Sequence, residues 1–384
     1  MKRHVALMIE TSSAYGREVL SGVVRFMRMH DQWSVFLEQS DLSKKPPSWL
    51  ASWHGDGIIS RVTTPRLLKT LQATGVPLVD LTDRHDETTL PQVRSDDDAI
   101  GRLAARHLLE RGFRQCGFCG FSREAWSQRR EFAFVDEIES EGGTCRSIQS
   151  PWHGPGVSSW EAWQNRLAQW LKEFDGPAGI MACNDLRGQQ VLDACGRIGV
   201  AVPEKVAVIG VDDDELLCRL CTPPMSSVVP NAAGVGFHAA QQLAQLMDGA
   251  SRDDMESIQV SPLGVTTRQS TDVVAIDDIE TAAALKYIRE NACHGISVDD
   301  VTKNVALSRS KLERDLRKHL GRTPQQEIRF TQVKRAKELL ATTDLSIDQI
   351  SRLCSFQSAE YMHVVFKRFE NRTPGAFRRS ALQG

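Results

Sequence analysis

A pattern of two short helices joined by a tight turn occurs twice near the end of this 384-residue chain. In the first copy, Ser297 and Ser308 are placed to cap successive helices whose apolar residues recur at helical spacing. In the second copy, Ser346 and Ser358 occupy the equivalent places. Such a pair of helices is the shape that enters the major groove of DNA. A duplicated pattern is hard to obtain by chance, so we prefer this interpretation to a generic helical bundle with solvated charges.

The two copies also share a short terminal motif. GRTP at 321–324 and NRTP at 371–374 end the two units, and a basic helix predicted over 326–340 separates the copies. From Asp277 onward the chain has 19 Lys and Arg against 14 Asp and Glu, whereas the preceding part has 28 against 35, for a net charge of −2 overall. This asymmetry places the contact with any polyanion at the C-terminal end.

The duplicated region resembles the DNA-binding domain of the AraC/XylS family of transcription regulators. The family signature corresponds to residues 359–378, with FKRFENRTPGAFR at 366–378. Two positions that are usually glycine in that family are Ser355 and Asn371 here. Asparagine tolerates the left-handed conformation that a helix end requires, whereas serine is less suited to it.

The resemblance implies a set of DNA-contacting side chains on the second helix of each copy. Arginine can bridge two acceptors on guanine and glutamate can accept from cytosine, while Arg322 and Arg372 are placed for the phosphate backbone. The second copy has fewer long polar residues, and a packing and phosphate-contacting role is its alternative. The candidates for contacting DNA are Arg309, Ser310, Glu313, Arg314, Glu360, His363 and, nearer the phosphates, Lys367.

The first 265 or so residues have a different character, because short β-like runs alternate there with longer helix-like ones. This alternation predicts parallel sheets covered by helices. The runs form two series, which predicts an α/β region of two lobes followed by an all-α region. The predicted strands are 4–9, 33–38, 57–60, 77–80 and 93–95 in the first series, and 115–119, 179–183 and 206–210 in the second. We therefore predict a sensor domain over 1–267, a linker over 268–278 and a DNA-binding domain over 279–384.

Composition and run lengths exclude several classes of protein. No apolar run approaches the roughly 20 residues of a membrane-spanning helix, and residues 5–9 are too short for the apolar core of a signal peptide. Nine cysteines, an odd number scattered through the chain, do not form a secreted disulfide framework. We expect a cytoplasmic protein with no membrane contact. The pairs Cys116/Cys119 and Cys218/Cys221 have a spacing found in zinc sites, but the first pair lies on a predicted buried strand, where residues three apart point to opposite faces. We therefore expect no metal site. Nothing in the sequence suggests a cofactor or a catalytic triad, so neither is expected.

Polar residues directly follow several predicted strands, where ligands of parallel sheets bind. The ACND sequence at 182–185 and VPEKVAVIGVDD at 202–213 resemble the effector domain of LacI/GalR-type regulators and periplasmic sugar-binding proteins. Sugar hydroxyls both donate and accept hydrogen bonds, so a sugar site needs carboxylates, amides and guanidiniums, with an aromatic ring against the C–H face. The candidates for binding sugar are Tyr15, Arg17, Asp96, Trp126, Arg130, Asn184, Asp185 and Asp212.

Each candidate has an expected role in binding the sugar, and some have an alternative structural role. Asp185 and Asp212 would accept from hydroxyls, Arg17 and Arg130 would donate, Asn184 would do both, and Trp126 or Tyr15 would cover the ring. For the aspartates, and for Asp96 above all, the alternative is helix capping. For Trp126 the alternative is packing.

The order of the two parts resembles that of xylose-responsive regulators of the AraC/XylS family, a likeness that includes AYGR at 14–17. It implies a transcription activator with D-xylose as the effector, promoter DNA and RNA polymerase as partners, and a homodimer. The alternatives are the same architecture responding to another sugar or to none and, more remotely, a sugar-processing enzyme with a helical appendage.

Overall fold

The alternating strands and helices of the first part of the chain and the helices of the last part form two separate units of the fold. A computed structural model describes residues 2–30, 33–38, 48–61, 69–71, 73, 75–84, 92–152, 156–272, 278–343 and 345–381. The first unit comprises Met1–Ile198 and Ala207–Asp272, and the second comprises Gly199–Val206 and Val273–Gly384.

The boundary after the first unit differs from the predicted linker, which began at Arg268. Ser270 and Thr271 are buried, and Ser270 Oγ donates to the Val208 carbonyl at 2.5 Å. These contacts hold the segment within the first unit as far as Asp272. Residues 273–277 of the predicted linker lie outside the described part of the chain.

The first unit has two lobes, and the sheet of lobe A is parallel. A bridge between Asp80 and Gln92 continues this sheet toward a further pair of parallel strands, β5 (Val93–Ser95) and β11 (Ile258–Val260). The sheet order is β2-β1-β3-β4, comprising β1 (His4–Met8), β2 (Ser34–Leu37), β3 (Gly57–Ser60) and β4 (Leu78–Asp80).

Two helices of lobe A, α1 (Ala14–Met29) and α7 (Ala232–Met247), pack closely because glycines face each other's backbones. A Cβ on Gly22 would lie 1.9 Å from the Ala233 carbonyl oxygen, and one on Gly236 would lie 1.8 Å from that of Val19. Only glycine permits this approach, which brings Val19, Val23 and Val235 together in the core.

Lobe B contains a six-stranded sheet, and its edge strand β12 pairs antiparallel with β10. Strands β8 and β9 are fully buried, which explains their unbroken apolar sequence. Its strands are β6 (Gln115–Phe121), β7 (Thr144–Ser150), β8 (Ala178–Ala182), β9 (Val206–Val211), β10 (Ser226–Val229) and β12 (Gly264–Thr266), in the order β12-β10-β9-β8-β6-β7. Its helices are α2 (Asp97–Leu109), α3 (Ala125–Ser140), α4 (Trp160–Leu171), α5 (Asp185–Arg197) and α6 (Glu215–Leu220).

The second unit is helical, and its internal duplication is confirmed. Each of the four predicted serine caps accepts a hydrogen bond from the backbone N–H three residues further along the chain. The helices are α8 (Ile279–Asn291), α9 (Val298–Asn304), α10 (Arg309–Leu320), α11 (Pro324–Thr342), α12 (Ile347–Leu353), α13 (Ala359–Glu370) and α14 (Pro374–Ala381).

The two copies end alike, although their residues differ. Gly321 after α10 and Asn371 after α13 both adopt left-handed conformations, with φ of 66° and 55°. Ser355 in the second turn is also left-handed, at φ 53°. Its Oγ donates to the Cys293 carbonyl at 2.5 Å, which offsets the unfavourable backbone.

The buried side of α13 is formed by Met362, Val365 and Phe366. Met362 and Phe366 are fully buried, but Tyr361 is 36% exposed, and the Arg329 guanidinium lies 5.2 Å from its ring centroid. Among the described residues, no helix has both the length and the apolar character needed to cross a membrane.

Candidate functional site

A cavity of about 330 Å³ opens at the carboxyl ends of the strands of both lobes. Glu10 and Arg61 follow β1 and β3 of lobe A, while Asp185 and Asp212 follow β8 and β9 of lobe B. The arrangement matches the general rule that ligands of open parallel sheets bind at this edge. One ligand could therefore contact both lobes.

Six of the eight predicted sugar-binding residues line this cavity, namely Tyr15, Trp126, Arg130, Asn184, Asp185 and Asp212. The other two are elsewhere in the described structure. Arg17 is exposed, and its Nη1 donates to the carbonyls of Thr11 and Ser12 at 2.9 and 3.2 Å. Asp96 caps α2 by accepting from the Ala99 N–H at 2.9 Å, which is the alternative role that its sequence position allowed.

The sequence reasoning missed several lining residues on both sides of the cavity. Glu10, Arg61, Asp83 and Arg84 belong to lobe A, and Trp152 follows β7 of lobe B. Each lies shortly after a strand, so a search of the residues just beyond every predicted strand could have found them. Lobe A therefore contributes the guanidiniums of Arg61 and Arg84 to the cavity, and not that of Arg17.

Asp212 occupies an unusual backbone conformation at the end of β9, with φ 110°. Non-glycine residues in this region are rare and concentrate at functional sites. Burial raises the pKa of the Asp212 carboxyl to about 6, against the opposing effects of Arg130 and Arg61. The group therefore ionises close to neutral pH, and a ligand that donates hydrogen bonds to the carboxylate would favour its charged form.

Asp185 is buried at the start of α5 and is held by several donors. Its Oδ1 accepts from Ser227 Oγ at 2.7 Å, and its Oδ2 accepts from the Asp214 N–H at 2.8 Å. Asn184 caps the same helix by accepting from the Arg187 N–H at 3.1 Å. Burial and the neighbouring charge of Asp212 raise the pKa of Asp185. Both residues thus combine a structural contact with a position on the cavity wall.

Arg130 is the central cation of lobe B. Its Nε donates to Asp97 Oδ1 at 2.8 Å and its Nη1 to the Cys183 carbonyl at 2.7 Å, and it is 3% exposed. Its guanidinium also lies 4.8 Å from the centroid of the Trp126 ring. These contacts fix its orientation before any ligand arrives.

Arg61 is the corresponding cation of lobe A. It forms ion pairs with Glu10 and, at 3.5 Å, with Asp83. Its guanidinium lies 4.4 Å from the centroid of the Tyr15 ring. The Tyr15 hydroxyl shares a 2.8 Å hydrogen bond with Ser95 Oγ, and burial raises its pKa, so it remains protonated at neutral pH.

Aromatic rings form another part of the wall. Phe121 and Trp152 stack with centroids 4.8 Å apart, and Trp126 meets Trp152 edge-on at 6.1 Å. Arg84, held by Glu124 through two hydrogen bonds of 2.6 Å, has its guanidinium 6.0 Å from the Trp152 ring. Trp126 therefore both packs and lines the cavity. Carboxylates, guanidiniums and aromatic faces together suit a small polyhydroxylated molecule.

The second candidate site lies on the helical unit, where α10 exposes a basic face. Arg309, Ser310 and Arg314 are exposed, while Leu312 and Leu316 on the opposite side are fully buried. Arg309 forms ion pairs with Asp299 at 3.2 Å and with Glu313 at 3.3 Å. Helix α10 therefore presents its predicted base-reading residues outward.

Helix α13 presents the other predicted contacts. Glu360 and Lys367 are exposed and His363 is half-buried. Tyr361 and Val364, which is 68% exposed, lie on the surface as well. The contacts of both helices with DNA remain predictions.

Three families match successive parts of the chain. They are the XylR N-terminal domain at residues 4–95, the periplasmic binding protein-like domain at 105–271 and a helix-turn-helix domain at 301–380. The chain is 32% identical to the xylose operon regulatory protein of Escherichia coli (strain K12), over 98% of this chain and 97% of that protein. The chain belongs to the family of xylose operon regulatory proteins. A member of this family from Haemophilus influenzae (strain ATCC 51907 / DSM 11121 / KW20 / Rd) is 30% identical over 97% of both chains.

A solved structure of the xylose-binding transcription activator xylR has the same fold. It superposes with a TM-score of 0.84 at 30% sequence identity, covering 99% of this chain and 98% of that one. The predicted family and fold class are thereby confirmed. These three relatives are transcription regulators by name and not enzymes.

Proposed function

We propose that this protein is a D-xylose-responsive transcription activator that binds promoter DNA through its two helix-turn-helix copies. The observation that carries the proposal is the cavity, which is lined from both lobes by carboxylates, guanidiniums and aromatic rings. Membership of the xylose operon regulatory protein family supports D-xylose as the sugar. The family supports activation as the response.

The size of the cavity favours a small sugar. Ligand pockets usually measure roughly 300 to 1,000 Å³, and this one measures about 330 Å³. A monosaccharide suits that volume better than an oligosaccharide does. In our proposal Asp212 and Asp185 accept from its hydroxyls, Arg130 and Arg61 donate, and Trp126 covers its apolar face.

Sugar binding would act by bridging the lobes. A ligand that contacts both lobes stabilises their closed arrangement, as in other hinged two-lobed proteins. Coupling of this kind is typically worth about 1 to 3 kcal/mol and is reciprocal, so DNA should tighten sugar binding by the same factor. The protein would thereby report the presence of sugar as a change in DNA affinity.

We also propose where the protein works and how it is assembled. It acts in the cytoplasm as a homodimer, with one sensor domain and one DNA-binding domain per chain, and it contacts RNA polymerase as an activator. Two recognition helices per helical unit would read major-groove faces about one helical turn apart. Light scattering of the purified protein, with and without D-xylose, tests the dimer.

Two measurements test the proposed function. Titration calorimetry with D-xylose and a panel of other pentoses and hexoses should give saturable heat with D-xylose. DNA upstream of the protein's own gene should be shifted in a gel, more strongly with D-xylose present and less strongly at high salt. No heat with D-xylose and clear heat with another sugar would reassign the effector. DNA affinity that no sugar changes would refute the proposal.

A further inference from the structure

A short segment of the α/β region belongs to the helical unit. Gly199–Val206 lies in sequence between α5 and β9, which are parts of the first unit, yet it clusters with the second. The segment is folded on itself, because the Ala201 carbonyl accepts from the N–H groups of Lys205 and Val206 at 3.0 and 3.1 Å. Glu204 lies in this turn and is completely buried.

Glu204 forms an ion pair with a helix of that unit. Its Oε1 lies 2.7 Å from Arg289 Nη1 on α8, and the Arg289 side chain is 17% exposed. Burial raises the pKa of Glu204, while the charges of Arg289 and Lys286 oppose this rise. Removing one partner of a buried ion pair leaves an uncompensated charge, so the pair favours one arrangement of the segment and the helix.

The same charge cluster extends to the end of the first recognition helix. Glu327 on α11 is 1% exposed, and its negative charge acts on Glu204. Glu327 accepts from Arg322 Nε at 2.8 Å, and Arg322 follows Gly321, the residue that caps the C-terminal end of α10. A displacement of Glu204 would therefore change the electrostatic surroundings of the ion pair between Arg322 and Glu327.

Helix α5 and strand β9 flank this segment in sequence, and their ends away from the segment lie at the cavity. Helix α5 begins at Asp185, and Asp212 follows β9 directly. Thus the helix before the segment starts at one carboxylate of the proposed sugar site, and the strand after the segment ends beside the other. Each is short and regular, with about 20 Å of helix or strand, and such elements move as rigid pieces.

We propose that Gly199–Val206 couples the sugar site to the DNA-binding unit, and that Glu204 is the positioning residue which transmits the movement through Arg289. Sugar bound to Asp185 and Asp212 shifts α5 and β9, and the ion pair carries that shift to α8. The inference rests on the proposed function, since it assigns a structural route to its sugar response.

The test uses Glu204→Gln, which keeps the shape of the side chain and removes its charge. Fluorescence anisotropy on the full chain would measure the Kd for DNA from upstream of its own gene, with and without saturating D-xylose. Allosteric factors are typically about 5- to 150-fold. We expect the parent to lie in that range and the factor of Glu204→Gln to fall to less than about twofold. The Kd for D-xylose without DNA should stay within about twofold of the parent's, because the variant does not touch the cavity.

The matched control is Asp193→Asn on α5, which removes the charge of a half-exposed carboxylate paired with Arg197 at 3.0 Å. This variant should keep the parent's allosteric factor, which is the change in Kd for DNA that D-xylose causes. Arg289→Met should lose the factor as Glu204→Gln does, whereas Arg289→Lys, which keeps the charge, should retain part of it. A retained factor in folded Glu204→Gln and Arg289→Met would overturn the inference and leave the proposed function intact.

A measurement on the parent protein covers the case in which the variants do not fold. Amide hydrogen exchange should show that D-xylose changes protection in Gly199–Val206 and in α8. If D-xylose changes DNA affinity but not this exchange, the inference fails alone. If D-xylose does not change DNA affinity in the parent, the proposed function fails and the inference fails with it.

Discussion

Arg130 and Asp97 form an ion pair in the interior of the first unit, with Arg130 Nε donating to Asp97 Oδ1 at 2.8 Å. Both side chains are at most 4% exposed. Burial raises the pKa of Asp97, and the guanidiniums of Arg130 and Arg129 oppose the rise. Since Arg130 also faces the cavity, the pair connects the stability of the unit with its binding site.

Replacing Arg130 with methionine should therefore lower both stability and sugar affinity. Breaking a buried ion pair costs about 3 to 5 kcal/mol, and the remaining pair between Arg129 and Asp97 should reduce this loss to about 2 kcal/mol. Urea unfolding measures the free energy. Arg106→Met, which breaks a surface pair with Glu137, is the control and should leave the free energy of unfolding nearly unchanged. Equal losses in both variants would contradict the role assigned to Arg130.

Asp212→Asn should weaken D-xylose binding while stabilising the sugar-free protein. A hydrogen bond to a charged group contributes about 1.5 to 3 kcal/mol, so we expect roughly 10- to 100-fold weaker binding by calorimetry. The raised pKa of Asp212 shows that its charge is unfavourable in the empty cavity, and its removal should raise Tm. The affinity of the sugar-free variant for DNA should not change. If the variant bound D-xylose as tightly as the parent, Asp212 would not be a sugar-binding residue.

Sugar affinity should depend on pH through the same carboxyl. Its pKa of about 6 lies above the ordinary value of 3.8, so the empty site takes up a proton as the pH falls through 6. If the sugar binds the ionised form of the Asp212 carboxyl, the sugar affinity has its full value above pH 7 and falls about tenfold by pH 5. Calorimetry across this range measures the slope. The Asp212→Asn variant should flatten the profile, and an equally steep profile in that variant would assign the titration to another group.

Arg314→Ala should weaken DNA binding and leave sugar binding unchanged. The Arg314 side chain is 71% exposed on α10, and one base-reading arginine contributes about 1 to 3 kcal/mol of specific binding. Anisotropy with specific and scrambled DNA separates base reading from phosphate contact. Arg197→Ala, on the surface of the first unit, is the matched control. Parent-like affinity in Arg314→Ala would show that this face of α10 does not read bases.

The Ser355 turn makes a prediction about stability. Ser355→Ala keeps the left-handed backbone and loses the hydrogen bond to the Cys293 carbonyl, so we expect a loss of about 1 to 2 kcal/mol. Ser355→Gly also loses the bond but relieves the backbone strain, and the two effects should nearly cancel. Chemical unfolding compares the variants. A glycine variant as unstable as the alanine one would show that the strain at this turn is negligible.

Local features of the fold could be predicted from the sequence because their causes are local. A serine cap such as Ser308 acts on backbone groups two or three residues away, and the spacing of Leu312 and Leu316 is set by the helix itself. The duplicated copies, the parallel strands and the strand-end aspartates were all predicted by such short-range rules. The capping role of Asp96 was open at that level, because a cap and a ligand site call for the same residue at the same position.

The tertiary structure decided which residues line the cavity. Arg17 and Arg61 both follow strands of lobe A, but only Arg61 is brought beside Glu10 and Tyr15 and faces the residues of lobe B. In the same way, nothing in the sequence around Glu204 indicates its partner Arg289, which is 85 positions away. Sequence determines what each element can do by itself, because caps, periodicity and strand ends depend on near neighbours. Which elements converge depends on packing between distant segments, and that information exists only in the folded chain.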